Sequence, residues 1–109
     1  HSYVITLFDV KIGVRADPQQ IREIFKEMPA LLEDLCVPSR IGASYLCSPS
    51  SSSLIIVYLA EQEMRPIHLA FRIKSSDSKE LVRYSEKISE KLKNYGVHPT
   101  LLSTDSVSL

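Results

Sequence analysis

The segment Leu54–Ala60, LIIVYLA, constrains the fold of this chain more than any other. It carries no charge, it is too short to span a membrane, and three of its residues are β-branched, so it reads as a strand. Its odd and even positions are both apolar. A strand of that kind belongs in the middle of a sheet with neighbours on either side. A sheet in turn needs a second layer over its apolar face, so the rest of the chain must supply flanking strands and amphipathic cover.

The flanking patterns supply both. From Tyr3 to Val14, Val4, Thr6, Phe8, Val10, Ile12 and Val14 fall on one face of a strand, and Tyr3, Ile5, Leu7, Asp9, Lys11 and Gly13 fall on the other. The first half of this second face is apolar and the second half polar. Asp17 is then placed to cap a helix, with Pro18 at its first position and Gln20 at the third to complete a capping box. The stripe Ile21, Ile24, Phe25, Met28, Leu32 and Leu35 makes that helix amphipathic. Pro29 predicts a kink or restart near Met28, because it lacks an N–H and crowds the preceding turn. Val37–Ser39 reads as a connector, and Ile41–Cys47 as a strand weakened by Gly42 and Ala43. Ser48–Ser53 reads as a polar turn that could accept phosphate groups, a flexible connection being the plainer reading.

Beyond the central strand, Glu61–Pro66 reads as a turn. Ile67, Leu69, Phe71 and Ile73 then alternate with His68, Ala70, Arg72 and Lys74. Asp77 with Glu80 signals a second helix start, Leu81, Tyr84 or Ser85, Ile88, Leu92 and Tyr95 form its buried stripe, and Gly96 ends it. Val97–Thr104 closes the pattern as a strand, Pro99 placing it at an edge. The residues after it read as frayed.

The order β-α-β-β-β-α-β predicts an α+β, two-layer sandwich with both helices on one sheet face. The expected plan is ferredoxin-like with one extra strand, and a profilin- or longin-like sheet is the alternative. The chain of 109 residues is the size of one domain over 1–109, expected to be part of a larger protein. At this length roughly two thirds of the unfolded surface can be buried, so no staple is required.

Charge narrows the function classes. Thirteen basic and thirteen acidic side chains cancel. The expected partner is therefore a protein or a second copy of the chain, not nucleic acid, and no membrane insertion is expected. An RNA-reading sheet would carry alternating aromatics on its open face. The strands offer only Tyr45, Tyr58 and Phe71. With Gly13, Gly42 and Gly96 as the only glycines, neither a Walker loop nor a dinucleotide fingerprint can form.

No catalytic, cofactor or metal residues are expected. Cys36 and Cys47 match no zinc spacing. They read as two partly buried free thiols, or else as one disulfide of an oxidising compartment. Asn94, the sole asparagine, begins no glycosylation sequon, which leans toward an intracellular, cytoplasmic chain. His98-Pro99-Thr100 has the form of one half of a two-histidine phosphoesterase pair. The other half is missing, because Leu69 and Ala70 follow His68. The acidic pairs Glu33–Asp34 and Glu61/Glu63 read as solvated surface.

Two features remain as candidate sites. Tyr3, Ile5 and Leu7 would leave an apolar patch on the sheet face that the helices do not cover, a candidate interface. Lys79, Arg83, Lys87 and Lys91 recur every four residues on the second helix. They form a basic stripe that reads either as a solvated face or as a docking surface for an acidic partner. The corner at Asp17-Pro18 also resembles, over about six residues that ordinary capping explains as well, the first strand-to-helix turn of the ACT domains. Gln19 stands where that family has a glycine. The resemblance implies a small-molecule regulatory domain with its ligand near residues 13–20.

Overall fold

The computed structural model describes residues 4–60 and 68–108. Six strands and three helices follow one another as β1 (Thr6–Arg15), α1 (Pro18–Lys26), α2 (Met28–Leu31), β2 (Ser39–Ile41), β3 (Ser44–Ser50), β4 (Ser53–Ala60), β5 (His68–Ser75), α3 (Ser78–Asn94) and β6 (Pro99–Ser108). The strands form one antiparallel sheet in the order β2-β3-β4-β5-β1-β6. The α+β class is as the sequence predicts, and LIIVYLA is an interior strand.

The helices pack on one face only. Val10, Ile12 and Val14 of β1, Tyr45 and Cys47 of β3, Ile55 and Val57 of β4, and Leu69, Phe71 and Ile73 of β5 meet Ile21, Ile24, Phe25, Leu81, Tyr84, Ile88 and Leu92 in one buried cluster. Several of these are fully enclosed, and each such aliphatic or aromatic side chain contributes about 1.5–3 kcal/mol by leaving water.

The helix signals act as the sequence dictates, with one adjustment at each start. The Asp17 carboxylate accepts from the Gln19 amide at 3.1 Å. The side chain that reaches along this first turn is Gln19, bonded to Glu23, and no reciprocal bond from Gln20 forms. Asp77 likewise accepts from the amides of Lys79 and Glu80, while Glu80 turns away from the cap, as described below. At the other end of α3, Gly96 has φ +79°. Its N–H donates to Lys93 O and that of Val97 to Leu92 O, the paired bonds of a Schellman end. Pro29 does interrupt the first helix: α1 stops at Lys26, and α2 begins at Met28.

Five expectations need correction. First, Ile41–Cys47 is not one strand. Gly42, at φ +58°, turns the chain between β2 and β3, and Ser39–Ile41 pairs with Ser44–Leu46. The connector reading of residue 39 fails because a positive-φ glycine closes a two-residue hairpin there. Second, the serine-rich turn shrinks to Ser51–Ser52, since β3 runs to Ser50 and β4 starts at Ser53. Third, residues 105–108 continue the strand instead of fraying, because Ser106 and Ser108 pair with Phe8 and Thr6. Fourth, β1 starts at Thr6, so Val4 and Ile5 precede it. Fifth, Cys36 and Cys47 are joined in a disulfide with Cα atoms 5.8 Å apart, well within the span such a bond requires. The segment after α2 returns over β3, a proximity that sequence spacing does not reveal. Such bonds persist in oxidising compartments, a hint opposite to the one taken from Asn94. No helix among the described residues is long and apolar enough to cross a membrane.

Candidate functional site

The sheet face opposite the helices is where candidate residues gather, and strand register sets them out in rows. One row runs Ser103–Lys11–Arg72–Ile56–Leu46–Ser39. The next runs Thr100–Gly13–Ala70–Tyr58–Ser44–Ile41, and beyond it His68 stands between Arg15 and Ala60. On the other side of the first row Asp105, Asp9, Lys74 and Leu54 align, and Val107 faces Leu7. Leu7, Leu46, Leu54, Ile56 and Tyr58 are each partly exposed, because strand neighbours shield them only from the sides.

Charge on this face is organised around Asp9. Its carboxylate accepts from the Arg72 guanidinium and lies 3.9 Å from Lys74 Nζ. The Asp9 bond raises the Arg72 pKa further above its ordinary value. Asp9 Oδ1 and Arg72 Nε are buried without a hydrogen-bond partner. The Lys11 ammonium lies 6.0 Å from the centre of the Tyr58 ring, at the outer limit of a cation–π contact.

At the end of this face nearest the first helix lies a cavity of about 280 Å³ lined by Gly13, Arg15, His68, Thr100 and Leu102. Gly13 does not turn the chain. It lies inside β1, buried, with no positive φ. Where Lys11 pairs with Ser103 and Ile12 with Leu101, Leu102 is an extra residue, a β-bulge. The bulge sets Leu102 down over Gly13. His68 has a pKa below its ordinary value, first through burial and then through the positive charge of Lys11 and Arg15.

The sequence-derived sites fare unequally. Ile5 is 56% exposed, and Leu7 lies on the open face as expected, while Tyr3 lies outside the described residues. The turn Glu61–Pro66, with Glu61 and Glu63, and Ile67 lie outside them too. On α3, Lys79 and Lys87 are exposed. Arg83 donates to the Tyr84 hydroxyl and lies 4.0 Å from Glu80, and Lys91 is held by Asp34, whose pKa is lowered chiefly by that bond. Half of the basic stripe is therefore engaged within the chain. Of residues 13–20, where the ACT resemblance puts a ligand, Gly13 and Arg15 line the cavity and the others do not. Of the three aromatics considered for base stacking, Tyr45 and Phe71 are buried beneath the helices, and only Tyr58 is on the open face.

Sequence reading missed a polar cluster at the opposite end of the sheet. Ser50 Oγ donates to Glu80 Oε2 at 3.1 Å, and Ser53 Oγ lies 3.2 Å from the same oxygen and 2.7 Å from Ser75 Oγ. Tyr84 donates to Glu80 Oε1, and the Asp77 amide donates to Ser75 Oγ. A carboxylate accepts only, and each hydroxyl has one proton. The chain therefore runs from the Asp77 amide through Ser75 and Ser53 to Glu80. The only sequence signal was the pair Asp77/Glu80, which reads equally well as a helix start.

No family model matches the chain, and no curated protein matches it. Among solved structures it is similar to the de novo designed protein Foldit4, with a TM-score of 0.52 and 13% sequence identity over 94% of each chain. Likeness at that identity speaks to the fold alone.

Proposed function

We propose that this chain is a non-catalytic protein–protein interaction or assembly module, and that its contact surface is the open sheet face with the β6 edge beside it. The observation that carries the reading is that the helices cover one side of the sheet. This leaves Leu7, Leu46, Leu54, Ile56 and Tyr58 on adjoining rows of the other side. A contiguous apolar patch of this kind is characteristic of partner surfaces. The charges of Asp9, Arg72, Lys74 and Lys11 around it would set orientation more than affinity.

The strand order supports a ferredoxin-like plan. Without β2, β3 and the short α2, the remaining elements run β1-α1-β4-β5-α3-β6 and the sheet order is β4-β5-β1-β6. The added hairpin guards one edge, since β2 has three residues, follows Pro38 and carries Arg40. The other edge is ten residues long, with Asp105 as its one charge and Leu101, Leu102 and Val107 about half exposed or more. An edge so lightly guarded is suited to strand pairing with another chain.

The test compares Leu7→Lys and Ile56→Lys with the helix-face control Lys87→Glu. Sedimentation over a concentration series reads self-association, and affinity capture from the native cell reads hetero-partners. A complex lost in both face variants and kept in the control is expected. A protein that stays monomeric at high concentration, with a captured set unchanged by either face variant, would overturn the reading.

A further inference from the structure

A cationic side chain, Arg15, and an imidazole, His68, border a depression at one end of the open face, with the Lys11 ammonium nearby. Arg15 stands directly opposite His68, and Lys11 flanks Gly13 on the same strand. The floor between them is low at Ala70, whose side chain is one methyl, while the space over the neighbouring Gly13 is taken by Leu102. Thr100 of β6 borders the floor, and the bulged Leu102 walls it. Among the described residues no carboxylate forms an ion pair with Lys11, Arg15 or His68. Asp9, the next carboxylate along β1 on this face, is already engaged by Arg72 and Lys74.

We propose that this cavity is a binding site for a phosphate group, free or as the ester of a small molecule, held by Arg15 and His68 with the Thr100 hydroxyl as a further donor. The proposal goes beyond the interaction reading and does not rest on it. A guanidinium offers a planar fork of N–H donors that matches phosphate oxygens. The imidazole adds a donor from the adjacent strand, so two neighbouring strands clasp one anion. Lys11, which leans toward Tyr58 across Ala70, contributes field more than contact. At about 280 Å³ the cavity lies near the lower end of ligand pockets, so it admits a phosphate with a small organic group and no more.

The electrostatics agree with the geometry. Lys11 and Arg15 both disfavour the protonated imidazole of His68, behind the larger effect of its burial. A phosphate in contact with the imidazole opposes that field. Its binding should therefore raise the His68 pKa, which gives the site a reporter of its own.

The experiment follows the His68 ring resonances by NMR on the whole chain while sodium phosphate is added, against chloride at matched ionic strength. His98 is the internal reference. A saturable shift at His68 alone and a rise in its pKa at saturation are expected. In Arg15→Ala the affinity should fall about tenfold or more, the loss of one charge-assisted contact pair. Arg15 is exposed, so that variant should keep the wild-type amide spectrum. O-phosphoserine titrated in parallel separates the sources: tighter binding than inorganic phosphate assigns the site to an ester, and weaker binding assigns it to the free ion. Shifts that chloride reproduces, or that persist undiminished in Arg15→Ala, overturn the proposal. The interaction reading is unaffected by either result, since its test uses neither residue.

Discussion

Leu102 rests directly on Gly13: a Cβ placed at residue 13 would stand 2.6 Å from Leu102 Cδ1 and 3.1 Å from its Cγ. The contact arises because a bulge in β6 adds one residue against β1, and the added side chain turns onto the only position of the strand without one. Gly13 has no positive φ, so its backbone tolerates alanine and the obstacle is Leu102 alone. Two opposing outcomes follow. Gly13→Ala in the wild-type chain should lower stability by about 1 kcal/mol or less, because Leu102 is half exposed and can swing aside. In a Leu102→Ala background the same change should raise stability by about 0.4–1 kcal/mol, by restricting the unfolded chain. A double-mutant cycle in urea measures the coupling, and additivity would mean that the two residues do not touch.

His68 should titrate below the usual histidine range, and Arg15→Ala or Lys11→Ala should each move it upward while burial keeps it depressed. The consequence for stability has a definite sign. The unfolded chain binds a proton at the ordinary pKa, about 6.5, and the folded chain binds it only at lower pH. Above the unfolded value the group is neutral in both states and costs nothing. As pH falls from there to the folded value, stability drops, and below the folded value the loss is complete. His68→Gln should flatten this part of the stability profile. An unchanged slope between pH 5 and pH 7 would assign the loss to other groups.

What the sequence disclosed and what it withheld divide along the range of the interaction. The alternation in β1, the Asp17 and Asp77 caps, the Pro29 interruption and the Gly96 helix end are set by residues within one turn or one strand, and they are legible from order alone. The disulfide, the β2 hairpin partner, the Gly13 depression and the Glu80 cluster depend on which strands become neighbours. Gly13 shows the limit most sharply. Read locally, it ends a strand, whereas in the sheet it makes room for a residue far along the chain. The proposed contact residues fall between these cases, because strand period assigns Leu7 a face, and only the placement of the helices shows that they leave this face uncovered.

Glu80 links the start of α3 to the β3–β4 turn, and its side chain is mostly buried while it gathers Ser50, Ser53 and Tyr84. Glu80→Ala removes the acceptor and leaves the Ser53 and Tyr84 hydroxyls without it. The expected loss is about 1–3 kcal/mol, the cost of stranding partly buried polar groups. Glu80→Gln retains an acceptor oxygen and should lose less. Ser53→Ala should cost less than Glu80→Ala, since Ser50 and Tyr84 keep their partner. Denaturant unfolding of the three variants gives the ranking, and equal losses in Glu80→Ala and Glu80→Gln with none in Ser53→Ala would mean that residue 80 acts only through the helix start.

The Cys36–Cys47 bond closes a short loop from the end of the α1–α2 segment to the middle of β3, with a sequence separation of 11. For a loop of this length the restriction of the unfolded chain is worth about 3 kcal/mol on the chain-entropy view. Cys47 is buried in the core cluster and Cys36 is partly buried beside it. The two serine replacements should therefore differ. Cys36→Ser breaks the bond and leaves its hydroxyl near water, whereas Cys47→Ser breaks the same bond and also buries a hydroxyl among Tyr45, Phe25 and their neighbours. The second should be the less stable by about 1–3 kcal/mol, the cost of burying an unpaired hydroxyl. Reductant should lower the stability of the wild-type chain and leave both variants unchanged. Quantitative alkylation of both thiols in the native protein under oxidising conditions, or equal stability with and without reductant, would show that the bond does not contribute.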